Sequence, residues 1–316
     1  MTLTYLFPAL LAASTVFAQQ LNHPLMASRD EARVQPRMRV AAAETINVLA
    51  VMVQFQPDND IGTTGDGRFD LSTPAQVTLD SPPHDRRYFS DHLTFLSNYF
   101  AKVSKGKLVV RATLIDSVFT LPRQMARYSP PKNGPNTAVG DLARDTWQMV
   151  DASGLVGDFS LYDCFLLFHA GVGRDIDLVS VLGYDPTPRD IPSLYLSLNA
   201  FKQFFGSTYE GIPVRNGFHI TNTIVMPETE GREIPATPQN FFLSLSINGL
   251  LCASFGSYLG LPDLFDTNTG RSGIGRFGLM DGQAIFSFAG IFPPEPSAWE
   301  KYWLGWIADC PDCGPI

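Results

Sequence analysis

The apolar positions of the chain fall into two periods. Ile46-Asn47-Val48-Leu49-Ala50-Val51-Met52-Val53-Gln54-Phe55 is a nearly continuous apolar run, which predicts a strand covered on both faces. Tyr162–Phe168 repeats that pattern and leads into His169-Ala170-Gly171-Val172-Gly173. Leu108–Leu114, Ser117–Leu121 and Phe218–Met226 read as further strands. Between them the period lengthens. Arg87–Val103 sets Tyr88, Leu93, Leu96, Tyr99 and Phe100 near one face and stops at Ser104-Lys105-Gly106, the pattern of an amphipathic helix. A second helix is predicted over Val139–Val150. The longest helical stretch, Pro238–Leu259, carries the small residues Gly249, Ala253, Gly256 and Ser257 and is almost wholly apolar, as in a helix buried among other elements. Residues 174–216 read as loop, with Asp185-Pro186-Thr187-Pro188 as a turn signal. Strands interleaved with helices predict an α/β or α+β domain.

Composition narrows the function. Of 316 residues, 45% are hydrophobic, enough for a large core, and the formal net charge is −8. An acidic chain without blocks of Lys and Arg argues against a nucleic-acid partner. The apolar stretch Leu6–Ala18 is too short for a comfortable bilayer span and ends in Val16-Phe17-Ala18, which reads as a signal peptide over residues 1–18. The expected product is exported, cleaved near Ala18 and without a membrane span. Residues 19–45, with Arg29, Arg33, Arg37 and Arg39, read as a leader or linker; 46–307 form the domain, and 308–316 a short tail. That tail carries Cys310 and Cys313, whose bland reading is a local disulfide or two thiols. Cys164, inside an apolar run, reads as a small core residue. Asp58, Asp60 and Asp66 lack the spacing of a calcium loop and read as a solvated turn.

One segment carries chemical information. Gly249-Leu250-Leu251-Cys252-Ala253-Ser254-Phe255-Gly256-Ser257-Tyr258-Leu259 should stop at Gly260, which accepts the positive φ of a helix end, and turn back through Leu261-Pro262-Asp263-Leu264-Phe265-Asp266. Gly278-Leu279-Met280-Asp281-Gly282 and Ser297-Ala298-Trp299 follow. This order resembles the zinc-binding helix, turn and Met-turn of the metzincins. More closely, it is similar to the immune inhibitor A family of secreted metallopeptidases, whose helix reads His-Glu-Phe-Gly-His before Gly-Leu-Pro-Asp-Leu. Arg86-Arg87-Tyr88-Phe89, Leu96-Ser97-Asn98-Tyr99-Phe100, Gly106-Lys107-Leu108 and His169-Ala170-Gly171-Val172-Gly173 extend the likeness over about residues 46–307. It implies a zincin-like domain: a mixed twisted sheet, an active-site-type helix and a C-terminal helix. It also implies an extended polypeptide lying against an edge strand, for which Phe218–Met226 is the candidate.

At the chemical positions the likeness ends. It assigns the first zinc-ligating His to Ala253, the catalytic Glu to Ser254, the second His to Ser257 and the third ligand to Asp263, with Met280 in the Met-turn. Positions 253 and 257 share one helix face, which is why the zinc motif spaces two His so. A methyl has no lone pair, a neutral hydroxyl is a poor replacement for imidazole, and one carboxylate does not make a zinc site. Without metal a water keeps a pKa of about 15.7 instead of about 7, and without the Glu no base is positioned. The expectation is a metallopeptidase homologue with no intact catalytic residue and no cofactor, binding extended polypeptide. Two other readings stay open. One is an active zinc endopeptidase with a site rebuilt from Cys252, Asp263 and a distant His; the other is a truncated product without function. Asp263, Asp266 and Asp281 also fit caps and Asx-turns, Met280 fits packing, and His169 fits a hydrogen-bonded strand-end residue.

Overall fold

The computed structural model describes residues 43–74, 77–131, 137–234, 239–267, 270–282 and 284–307. The signal-type segment, the leader up to residue 42 and the Cys310/Cys313 tail lie outside the described residues. The strands are β1 (Glu44–Gln54), β2 (Leu108–Thr120), β3 (Cys164–Val172), β4 (Leu194–Leu196), β5 (Ile212–Pro213), β6 (His219–Ile220), β7 (Thr223–Thr229), β8 (Arg232–Ile234) and β9 (Phe241–Leu243). The helices are α1 (Arg86–Val103), α2 (Thr137–Ser153), α3 (Leu178–Leu182), α4 (Leu198–Phe205), α5 (Asn248–Tyr258) and α6 (Ala298–Trp303).

Five strands form one sheet in the order β2-β1-β3-β7-β4. The first four run parallel and β4 is antiparallel to β7. Parallel strands need both faces covered, and all nine residues of β3 are buried. Phe168 packs against Phe89 of α1, while Phe165 packs against Trp147 of α2. Because side chains alternate along a strand, positions 165 and 168 point to opposite faces, so α1 and α2 cover opposite sides of the sheet. α5 lies with α1 and contacts β4 and β7; α4 lies with α2. Trp147 donates its indole N–H to Thr223 Oγ1 at 2.9 Å, which satisfies the one polar atom of a fully buried ring.

Local chemistry fixes the helix ends. Asp85 caps α1 by accepting from the N–H groups of Arg87 and Tyr88 at 2.9 and 3.1 Å. Ser297 and Glu300 form a capping box on α6.

Five expectations are corrected. β1 begins at Glu44, inside the segment read as leader, because Glu44 and Thr45 pair with Leu108 and Val109. The two strands predicted over Leu108–Leu114 and Ser117–Leu121 are one strand, whose register against β1 shifts between Ala50 and Met52. The region 174–216 holds α3, β4 and α4. Phe218–Met226 is not the edge: it divides into β6 and β7, and β7 is flanked by β3 and β4, leaving β4 as the outer strand. Helix α5 covers only the second half of Pro238–Leu259, and β9 precedes it.

Candidate functional site

Helix α5 ends as the sequence dictates. Gly260 takes φ +88°, Gly260 N–H bonds the Ser257 carbonyl at 3.0 Å, and Leu261 N–H bonds the Gly256 carbonyl at 3.0 Å. These two bonds form a Schellman motif, which reverses the chain into Pro262 and half-buried Asp263. The chain returns beneath the helix: Leu264 N–H bonds the Met280 carbonyl at 2.9 Å, and Met280 N–H donates to Glu300 Oε1 at 2.9 Å. A Cβ on Gly256 would lie 2.7 Å from Met280 Sδ, so glycine there lets the thioether rest on the helix backbone. Asp281 accepts from Arg276 N–H at 3.1 Å and from the Ser272 hydroxyl, the turn role expected of it. Asp266 opens a separate turn, where its carbonyl accepts from Gly270 N–H at 2.7 Å.

Of the positions assigned to chemistry, Ser257 and Asp263 are half-buried and the other two are closed. Ala253 and Ser254 are buried, and Ser254 Oγ has no hydrogen-bond partner among the described residues. Ser257 Oγ donates back to the Ala253 carbonyl at 3.4 Å. Zinc does not fit this set: a methyl and a hydroxyl turned into its own helix supply no imidazole-like donor. Cys252 is fully buried and its burial pushes the thiol pKa well up, which disfavours the thiolate that a metal requires. Among the described residues, no three His, Cys, Asp or Glu side chains group so as to hold a metal ion. Cys164 is a buried thiol within β3, likewise pushed up by burial. His169 lies inside β3 instead of at its end, with Nδ1 3.0 Å from the Ala170 carbonyl; burial lowers its pKa to about 4. Asp58, Asp60 and Asp66 make turns, each accepting the N–H two residues on.

A second assembly lies at the carboxyl ends of β3 and β7, where open α/β sheets hold their ligands. There a cavity of about 500 Å³ is lined by Gly171 and Val172 of β3, Glu228 and Thr229 of β7, and His84 and Asp80 from the segment before α1. His84 Nδ1 is 2.5 Å from Glu228 Oε1 and its Nε2 is 3.0 Å from the Asp80 carbonyl. Both neighbours are acceptors, so the ring donates twice as imidazolium. Burial opposes the charge, but Glu228 and the carbonyl outweigh it and hold the His84 pKa above its ordinary value. Glu228 also accepts from the N–H groups of Asp70 and Gly171, each at 2.7 Å. Tyr88 OH lies 3.0 Å from the Glu228 carbonyl and 3.3 Å from Asp80 Oδ2.

His92 continues the chain of contacts. Its Nδ1 is 2.8 Å from Asn248 Oδ1, at the first residue of α5, and its Nε2 is 3.6 Å from Asp80 Oδ2. Burial outweighs both neighbours and lowers its pKa, the opposite direction to His84. The rings of His84, Tyr88 and His92 follow one another with centroids 4.5 Å apart. In the cavity wall, Arg232 stands 4.0 Å from Asp190 and 3.8 Å from Glu230. Burial, and then the charge of Asp175, pushes the Glu230 pKa well up. Asp190 in turn accepts from Thr64 N–H at 2.6 Å and from its hydroxyl at 2.7 Å.

Sequence reasoning missed this assembly because its members come from residues 64–92 and 171–248. The one local signal is the spacing of four between His84, Tyr88 and His92, which puts Tyr88 and His92 on one side of α1 and His84 just before its cap. The sequence matches no known family model and no curated protein.

Proposed function

We propose that this chain is an exported metallopeptidase-like protein, of the immune inhibitor A type, that has lost catalysis and binds extended polypeptide. The observation that carries the reading is helix α5: its i, i+4 face presents Ala253 and Ser257 where the resemblance implies two zinc-ligating His, and Ser254 where it implies the base. The surroundings support the likeness. The Schellman turn at Gly260, Asp263 after it and Met280 under Gly256 follow one another as that family's order implies. A sheet of four parallel strands with an antiparallel outer strand also fits a zincin-like domain. β4 replaces Phe218–Met226 as the strand against which a polypeptide would lie, held by backbone hydrogen bonds that need no metal.

Two measurements test it on the full chain. Metal analysis after gentle purification is expected to find zinc far below one equivalent, and casein digestion to be absent with or without chelator. Stoichiometric zinc with chelator-sensitive cleavage would overturn the loss of catalysis. Capture of reduced, carboxymethylated casein is expected; none at high micromolar protein would remove the polypeptide reading.

A further inference from the structure

The cavity at the carboxyl ends of β3 and β7 combines an apolar wall with uncommitted negative charge. Phe242 of β9 lines it with half its surface exposed, beside Pro82 and Val172. Of the charged groups around it, Arg232 faces Asp190 and Glu230, and His84 faces Glu228. That leaves Asp70, Asp80 and Glu233 against Arg68. Asp80 is the least exposed of the four, its side chain 12% exposed. One of its oxygens accepts from Ile247 N–H at 3.0 Å and lies near Tyr88 OH and His92. The other, Oδ1, has no hydrogen-bond partner among the described residues. A second unmet polar atom lies in the wall: Arg232, 94% buried and held through Nη2 by the Gly173 carbonyl, leaves Nε without an acceptor.

We propose that this cavity binds a guanidinium or primary ammonium group on an unbranched aliphatic stem, the chemistry of an arginine or lysine side chain in an extended polypeptide. Asp80 Oδ1 supplies the acceptor in a partly desolvated place, where a charge-assisted bond is strongest. Phe242 supplies a face for the stem and for the cation. A cavity of this volume is of the size that holds a small ligand. Only the polypeptide clause rests on the proposed function; the side-chain chemistry stands on the cavity.

The test is calorimetric titration of the full chain with Nα-acetyl-arginine amide and with Nα-acetyl-citrulline amide, which has the same shape without the charge. The arginine compound should bind about tenfold tighter, the scale of one partly desolvated charge contact. Asp80→Asn, which keeps an oxygen for Ile247 N–H, should abolish that preference. If Asp80→Asn fails to fold, Phe242→Ala, on a half-exposed ring, should weaken arginine binding instead. Equal binding of the two amides, or binding of neither, overturns the proposal. A short extended peptide with one central arginine, compared with its citrulline form, separates the two readings. Peptide binding that ignores the charge removes the cavity proposal and leaves the polypeptide reading. A preference for the arginine amide without any peptide binding does the reverse.

Discussion

Helix α5 with its following turn and the cavity beside His84 are opposites. The first has a regular architecture, from the Schellman motif to the Met280 contact, with Ala253 and Ser254 buried in it. The second has no sequence motif, yet concentrates two histidines, two carboxylates and a tyrosine at the end of a parallel sheet. The difference teaches that a local motif sets the shape of one helix and turn, while a cluster of polar side chains depends on which distant segments the fold brings together. The side chains at one helix say nothing about a cluster assembled by another part of the sheet.

The largest expected effect is at the cavity. Glu228→Ala strips the buried His84 charge of its partner and orphans the N–H groups of Asp70 and Gly171, and should cost about 3–5 kcal/mol in urea unfolding. A loss below about 1 kcal/mol would mean the cluster is solvated and the contrast with α5 is overstated. At the other region, Gly256→Val should cost about 1–3 kcal/mol by driving a side chain into Met280. Met280→Ala in the same chain should recover part of that loss; purely additive losses would show that the contact carries no coupling.

The pH dependence gives a smaller handle. The folded His84 pKa lies above the ordinary 6.5, so its contribution is full below pH 6.5 and fades as pH rises through the folded value. His92 and His169 have lowered folded values, so their contributions are full above pH 6.5 and fade as pH falls. His84→Gln should therefore flatten the alkaline limb of the stability profile and leave the acid limb; flattening of the acid limb instead would reverse the assignment of charge. The smallest effect belongs to Ser254→Ala. Removing a buried hydroxyl without a partner should leave stability unchanged or raise it by up to about 1 kcal/mol. Destabilisation would reveal a partner for that hydroxyl.

Much of the scaffold was legible along the chain. The apolar runs located β1, β3 and the core of β7, and the period of α1 placed its ends within one residue, because burial on a face imposes those spacings. The continuous apolar run Ile224-Val225-Met226 also carried a warning, since an outer strand has less reason to be apolar at every position. β4, three residues long, leaves no pattern to read, whereas α4 did: Ser197 caps it, and Leu198, Phe201 and Phe205 recur at helical spacing. The turn at Gly260 was legible because a positive φ restricts residue choice. The Glu228–His84 pair was not, since 144 positions separate its members and only sheet pairing sets the distance between them.

Helix α5 is moored at both extremities. At its head the Asp80 carboxylate takes the Ile247 N–H and His92 holds Asn248; at its tail the Leu261 N–H closes the last turn. Neither anchorage calls on an ion, so the rod keeps its berth through side chains and backbone alone.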